Sequence, residues 1–296
     1  MKRFPYFLFL IFFLGCSSQP RPQAKEARTI ADDLGRAVRL EGPPSRIISF
    51  APSLTEMIYA LGGDDRLAGV TSWCNWPPQA RSKTLVGDMM SPNFERMVSL
   101  RPQLAVMIGS RPGPLLKKFE ALNIPVICFK DETVADIRRA LNVLGLLLEC
   151  PARADSMIKD IDSRLATIKA AVDSVPLPER PKVFAELGSS PLFAAGDSSF
   201  IGQMIALAGG INVTGNIGSS YAAVNPELVV KSDPGIIIVL HPQAGRKDIA
   251  QRLGWQNVSA VKNGKIYPGL DQDVILRPGP RFIEGLKILH EIFYAP

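Results

Sequence analysis

The sequence predicts an α/β protein made of two Rossmann-like lobes joined by a single long backbone helix, and four observations carry that prediction. A pattern occurs twice. Asn93-Phe94-Glu95-Arg96-Met97-Val98, with Pro102 four residues on, precedes the apolar run Leu104 to Ile108; Asn225-Pro226-Glu227-Leu228-Val229-Val230, with Pro234, precedes Ile236 to Leu240. Upstream of each copy a helical pattern ends in Gly-Gly, at Gly62-Gly63 and at Gly209-Gly210. Continuous apolar runs such as Ile47 to Phe50 and Ile236 to Val239 read as strands buried on both faces, as parallel sheets require. Between the copies, Met157, Ile158, Ile161, Leu165, Ile168 and Val172 recur at helical spacing. Two matching helix, helix, strand modules imply two lobes of related architecture rather than one continuous sheet.

The elements follow in order. Lys2-Arg3, the apolar run Phe7 to Leu14 and the small Gly15 have the layout of a secretory signal peptide over residues 1–15. That run is shorter than the about 20 residues a membrane-spanning helix needs. Phe13-Leu14-Gly15-Cys16 followed by Ser17-Ser18 resembles a bacterial lipobox, with Phe13 in place of the usual Leu, and so predicts Cys16 as the lipidated start of the mature chain. Residues 16–28 are then a lipidated tether, polar and aperiodic through about Gln23. The N-terminal α/β lobe is expected over 29–150, the linking helix over 151–175 and the C-terminal α/β lobe over 176–296.

Within the first lobe, Ser53-Leu54-Thr55-Glu56 predicts a capping box, and Gly62-Gly63 the left-handed stop of the same helix. Asn93 and Asn225 are expected to cap the repeated helices. Pro226 suits the first helical position, and Glu95 and Glu227 then fall at the second, where the helix dipole favours a carboxylate. Pro151 opens the linking helix and Pro176-Leu177-Pro178 closes it. About 25 residues make a strut about 37 Å long, stiff enough to resist wide hinge closure. The last helix is expected from Phe282 to Phe293.

Composition bounds the function classes. Of 296 residues 46% are hydrophobic and 21% charged, which excludes a disordered chain. The net charge of +6 falls to +4 with the loss of Lys2 and Arg3, too mild and too scattered for a nucleic-acid partner. Beyond Cys16 there are Cys74, Cys128 and Cys150, without C-x-x-C spacing, so at most one disulfide can form. Cys128 reads as a buried small apolar side chain and Cys74 as packing beside aromatics. The two histidines, His241 and His290, lie far apart and argue against a His-rich zinc site. No metal site is therefore expected, and both are read as structural, with His241 the one candidate for a heme contact. There is no G-x-S-x-G, P-loop, H-E-x-x-H or strand-following G-x-G-x-x-G, which speaks against an exported α/β enzyme.

Several stretches carry a family resemblance: Asp32 to Arg36, Pro44 to Glu56, Gly69 to Pro78, Val86-Gly87, Asn93 to Pro102, Ala260 to Tyr267 and Arg277 to Arg281. In their order and spacing, from residue 29 onward, they resemble the periplasmic-binding family that delivers cobalamin and ferric siderophores to ABC importers. The resemblance implies a non-catalytic, monomeric binding protein outside the inner membrane, with a ligand cleft between lobes and no cofactor besides its cargo. Its implied partners are an importer permease, a small-molecule metal chelate and, through the lipid anchor, a membrane. In that family one Glu on each lobe docks onto permease arginines, and these positions match Glu95 and Glu227. The cleft contacts it implies are Trp73, Trp76, Met89, Tyr221 and Asp273, with Asp271 a second choice to Asp273. The ligand expected first is a cobalamin-type corrinoid, then a ferric siderophore or heme. Arg277 and Arg281 read as braces of the Pro-Gly-Pro turn, or else as partners for a chelate's carboxylates. Trp255 reads as lobe packing.

Overall fold

The computed structural model describes residues 27–109 and 113–295; the signal segment, Cys16 and the tether through residue 26 lie outside the described residues. A hairpin comes first, β1 (Arg28–Ala31) against β2 (Ala37–Leu40), starting one residue before the boundary expected for the first lobe. The chain then alternates strand and helix. In order these are β3 (Ile47–Ser49), α1 (Pro52–Ala60), β4 (Leu67–Val70), β5 (Thr84–Leu85), α2 (Phe94–Ser99), β6 (Leu104–Ile108), α3 (Pro114–Ala121), β7 (Val126–Phe129) and α4 (Val134–Leu147). The sheet order is β5-β4-β3-β6-β7, every pair parallel. Residues Ile47, Ile48, Leu104 and Ile127 are wholly buried, as the unbroken apolar runs required.

The strut is α5 (Pro151–Asp173), 23 residues and so about 34 Å long, two residues shorter than its sequence signal. Pro151 occupies its first turn. Gly145 lets α4 lie tightly on it, since a Cβ at that position would stand 2.6 Å from the Cβ of Ala154.

The second lobe contains β8 (Lys182–Ser189), β9 (Leu192–Ala195), α6 (Phe200–Leu207), β10 (Ile211–Asn212), β11 (Tyr221–Ala223), α7 (Pro226–Ser232), β12 (Ile236–Val239), α8 (Arg246–Ala250), α9 (Ser259–Lys262), β13 (Ile266–Tyr267), α10 (Gln272–Ile275) and α11 (Phe282–Tyr294). Its parallel trio β10, β8 and β12 repeats the arrangement of β4, β3 and β6. The duplication is not complete, because β9 folds back antiparallel on β8 and carries β11 antiparallel on its far edge.

One continuous core joins the lobes. It includes Leu54 and Ile58 of α1, Leu141 and Leu144 of α4, Ile161 of the strut, Ile201 and Ile205 of α6, and Phe282, Leu286 and Leu289 of α11. Phe200 meets Phe282 edge to face at 6.2 Å, and Tyr294 donates its hydroxyl to Gly209 O at 2.9 Å, so α11 is pinned to α6. The opposite sheet faces are filled separately, around Phe50, Met97 and Phe119 in the first lobe and around Phe184 and Trp255 in the second.

Two local expectations meet different outcomes. Asn93 Oδ1 accepts from Arg96 N at 2.9 Å and Asn225 Oδ1 from Glu227 N at 2.9 Å, capping α2 and α7 as the repeat implied. The capping box at Ser53 and Glu56 does not form. Pro52 already occupies the first turn, Ala51 is the N-cap with no side-chain cap, and Ser53 and Glu56 are buried inside α1. Pro at the first position suits a helix start and moves it two residues upstream.

Candidate ligand cleft and docking surface

Parallel strands present their C-terminal ends on one side of a sheet, where α/β folds place their ligand crevices. Polar contacts between the lobes run through these ends. Arg277, between α10 and α11, is the centre of one flank. Its Nη1 donates to Glu56 Oε1 on α1 at 3.1 Å and to Asn75 Oδ1 at 2.7 Å. Its Nη2 donates to Trp73 O at 3.4 Å and pairs with Asp273 at 2.7 Å. Asn75 Nδ2 donates in turn to Asp273 Oδ2 at 2.8 Å. Arg281 donates Nε and Nη2 to the two oxygens of Glu56, both at 2.9 Å, and its guanidinium lies 4.3 Å from the Trp76 ring centre. The Glu56 side chain, 3% exposed, is thus a buried carboxylate held by two arginines, and its hydrogen bonds keep Arg281 above its ordinary value. On the other flank Gln203 Nε2 of α6 donates to Glu132 O, just beyond β7, at 2.9 Å.

Trp73 follows β4 and is 68% exposed, a bare aromatic plate whose own carbonyl is held by Arg277. Tyr221 opens β11 and is 45% exposed. Desolvation, and next the Asp131 carboxylate at the end of β7, push its hydroxyl above the ordinary value. The Tyr221 hydroxyl on the second lobe thus senses the Asp131 carboxylate of the first. Asp131 itself is pushed up to about 6, by burial first and then by the like charges of Glu132 and Asp136.

Arg277 brings Trp73 and Asp273 together. Trp76 instead lies under Arg281 and lines a cavity of about 440 Å³ with Glu56 and Tyr59 at the lobe junction. Met89 lines a mostly apolar groove of about 640 Å³ at the C-terminal end of β6, with Met90, Phe94, Met107 and Leu115. Of the arginine readings, the bracing one fits better. Both guanidiniums are engaged, although with Glu56 of the other lobe rather than with the Pro-Gly-Pro turn.

Sequence reasoning assigned no cleft role to Glu56, Asn75 or Asp131. Glu56 matched a helix-start signature, Asn75 stood between two tryptophans that drew the attention, and nothing local links either to Arg277. His241 is fully occupied. Gln243 N donates to its Nδ1 at 3.1 Å, so the proton sits on Nε2, which reaches the buried Glu186 at 2.9 Å. Cys74 is buried with its Sγ 3.1 Å from both Thr55 Oγ1 and Thr71 Oγ1, and Cys74, Cys128 and Cys150 are free thiols. Among the described residues, no group of three or more His, Cys, Asp or Glu converges as a metal site.

Glu95 and Glu227 stand at the second positions of α2 and α7, both exposed, and neither forms a salt bridge among the described residues. Each lobe thus offers one uncompensated carboxylate at a helix start, related by the internal repeat.

Two α/β lobes on a helical strut, with exposed aromatics at the strand ends between them, define the class of two-lobed solute-binding proteins. The chain belongs to the periplasmic binding protein family, whose pattern matches residues 47–272. It is 28% identical over 271 residues to YvrC, an uncharacterized ABC transporter substrate-binding lipoprotein of Bacillus subtilis, covering 90% of this chain and 85% of that protein. It is 27% identical over 249 residues to a vitamin B12-binding protein of Pectobacterium atrosepticum, covering 81% and 85% of the two chains. A periplasmic heme binding protein of Pseudomonas aeruginosa superposes with a TM-score of 0.72 at 26% identity, over 85% of this chain and 93% of that one.

Proposed function

We propose that this protein is an exported lipoprotein, anchored through Cys16, that captures a cobalamin-type corrinoid between its lobes and delivers it to an ABC importer. The observation that carries the reading is Trp73. A corrin ring needs a flat apolar surface with a few fixed polar groups around it. Trp73 offers such a surface, and Arg277 ties its backbone to Asp273, a carboxylate able to accept from the amide side chains of a corrinoid. Tyr221 supplies a second exposed ring from the other lobe. The vitamin B12-binding relatives support the same ligand class.

The alternatives, a ferric siderophore or heme, have less support. An anionic ferric chelate finds Arg277 and Arg281 already paired with Glu56. Heme finds His241 with both ring nitrogens engaged, although the Pseudomonas aeruginosa neighbour keeps heme as the second ligand to test. Docking to the permease is assigned to Glu95 and Glu227.

Titration of the mature protein with cyanocobalamin, cobinamide, heme and ferric siderophores, followed by tryptophan fluorescence, tests the reading. Saturable quenching by the corrinoids that shrinks in Trp73→Ala is expected. Tight binding of heme or a siderophore with indifference to corrinoids would overturn the ligand, and indifference to all of them would overturn the binding role.

A further inference from the structure

Glu227 stands on the lip of a groove of about 710 Å³ on the outer surface of the second lobe. Leu192, Val230 and Trp255 give the groove its apolar lining, and Lys231 shares the lip with Glu227. Leu253, 99% exposed, borders the same groove. A lone exposed leucine is ordinary on a protein surface. Leu253 differs in how it is held. On one side of it Arg252 donates to both oxygens of the wholly buried Glu186, at 2.6 and 2.7 Å, and lies 4.7 Å over the Trp255 ring. On the other side Gly254 turns the chain with φ +82°, a conformation open to glycine. The leucine is therefore presented by a tethered backbone rather than by a loose loop. Trp255, two residues on and wholly buried, is also the one buried side chain among the described residues whose polar atom, the indole N–H, has no partner.

We propose that this groove and Leu253 form an apolar docking surface for the importer's permease, receiving an apolar side chain from the permease segment whose cation pairs with Glu227. The inference rests on the reading of Glu227 as a docking carboxylate and adds to it the contact that supplies affinity. Interfaces draw their energy from a desolvated apolar centre, while a charge at the rim mainly sets orientation and encounter rate. The groove joins the two in one place. A second copy of this chain is the competing occupant, but it leaves the matching carboxylate on the other lobe, Glu95, without a role. A permease contacting both lobes uses both.

The test is binding of the full protein to its cognate importer in nanodiscs, with thermal melting and light scattering as controls. Leu253→Asp is expected to weaken binding about ten-fold or more, the scale of losing one buried leucine, with an unchanged melting temperature. Leu253→Met should bind nearly as the parent does. If Leu253→Asp binds normally while Glu227→Lys does not, the groove is not part of the interface and the carboxylate reading stands alone. If neither change matters, both ideas fail together. A parent protein that is dimeric, and becomes monomeric in Leu253→Asp, would assign the groove to self-association instead.

Discussion

Glu56 of the first lobe and Arg277 of the second, 221 positions apart in sequence, meet at 3.1 Å across the lobe junction. Arg281 completes the pair from the same turn, and both arginine side chains are only 15% exposed. This buried triad therefore fastens the lobes in addition to the strut α5 and the shared core. A mostly closed ion cluster gains little over an apolar one, but losing Glu56 strips Arg281 of its carboxylate and leaves Arg277 with Asp273 alone. Glu56→Ala is expected to destabilise the protein by about 3 kcal/mol in urea unfolding at pH 7. Unfolding within 1 kcal/mol of the parent would mean that water or other acceptors compensate the arginines.

Arg277 also fixes the wall that carries Trp73, through Trp73 O, Asn75 and Asp273. Lysine keeps the charge but not the planar fork that reaches these groups at once. Arg277→Lys should retain most of the stability yet weaken cyanocobalamin binding about ten-fold in calorimetric titration. Trp73→Ala, which removes the exposed ring itself, should cost at least as much. Equal affinity in parent and Arg277→Lys would separate the ion cluster from the ligand wall.

The elements that local chemistry determines were legible in the sequence. Asn93 and Asn225 cap their helices, Pro151 opens the strut, and the run at Ile236 forms a buried parallel strand, because each depends on residues within one turn or one strand. Long-range pairings were not legible. Glu56 carries the same Ser-x-x-Glu signature whether it caps a helix or binds two arginines from another lobe, and only the fold chooses. Trp73 and Trp76, three residues apart, read as equivalent cleft aromatics, yet one ring is bare and the other lies under Arg281. The antiparallel β9 escaped notice since Leu192 to Ala195 is short and its partner register depends on the second half of β8. Asp131 shares a local acidic cluster with Glu132 and Asp136, but its burial, the larger cause of its raised value, depends on the fold.

The exposed and unpaired state of Glu95 and Glu227 makes them testable without touching the cleft. Neither carboxylate has a hydrogen-bond or salt-bridge partner among the described residues, so each substitution should cost no more than about 1 kcal/mol, the scale of the helix-dipole contribution. The double change Glu95→Lys and Glu227→Lys is expected to abolish stimulated ATP hydrolysis by the reconstituted importer, with cyanocobalamin affinity retained. Each single change should give a partial loss, because one carboxylate remains. Stimulation that survives the double reversal would remove both residues from the docking surface.

Asp131 makes the stability of the unliganded protein depend on pH. Its folded-state value of about 6 lies above the ordinary 3.8, so between about pH 4 and 6 the native protein binds more protons than the unfolded chain. Stability therefore falls as pH rises through that window, and the cost of the charged carboxylate is complete above it and absent below it. Asp131→Asn removes the charge at nearly constant shape. The variant should be more stable than the parent by about 1–3 kcal/mol at pH 7, and the two should converge near pH 4. Tyr221 provides an independent reading, since Asp131 is one of the groups holding its hydroxyl up. An ultraviolet titration of Tyr221, assigned by comparison with Tyr221→Phe, should move to lower pH in Asp131→Asn. Parallel stability profiles together with an unmoved tyrosine would show that Asp131 is solvated and does not face the second lobe.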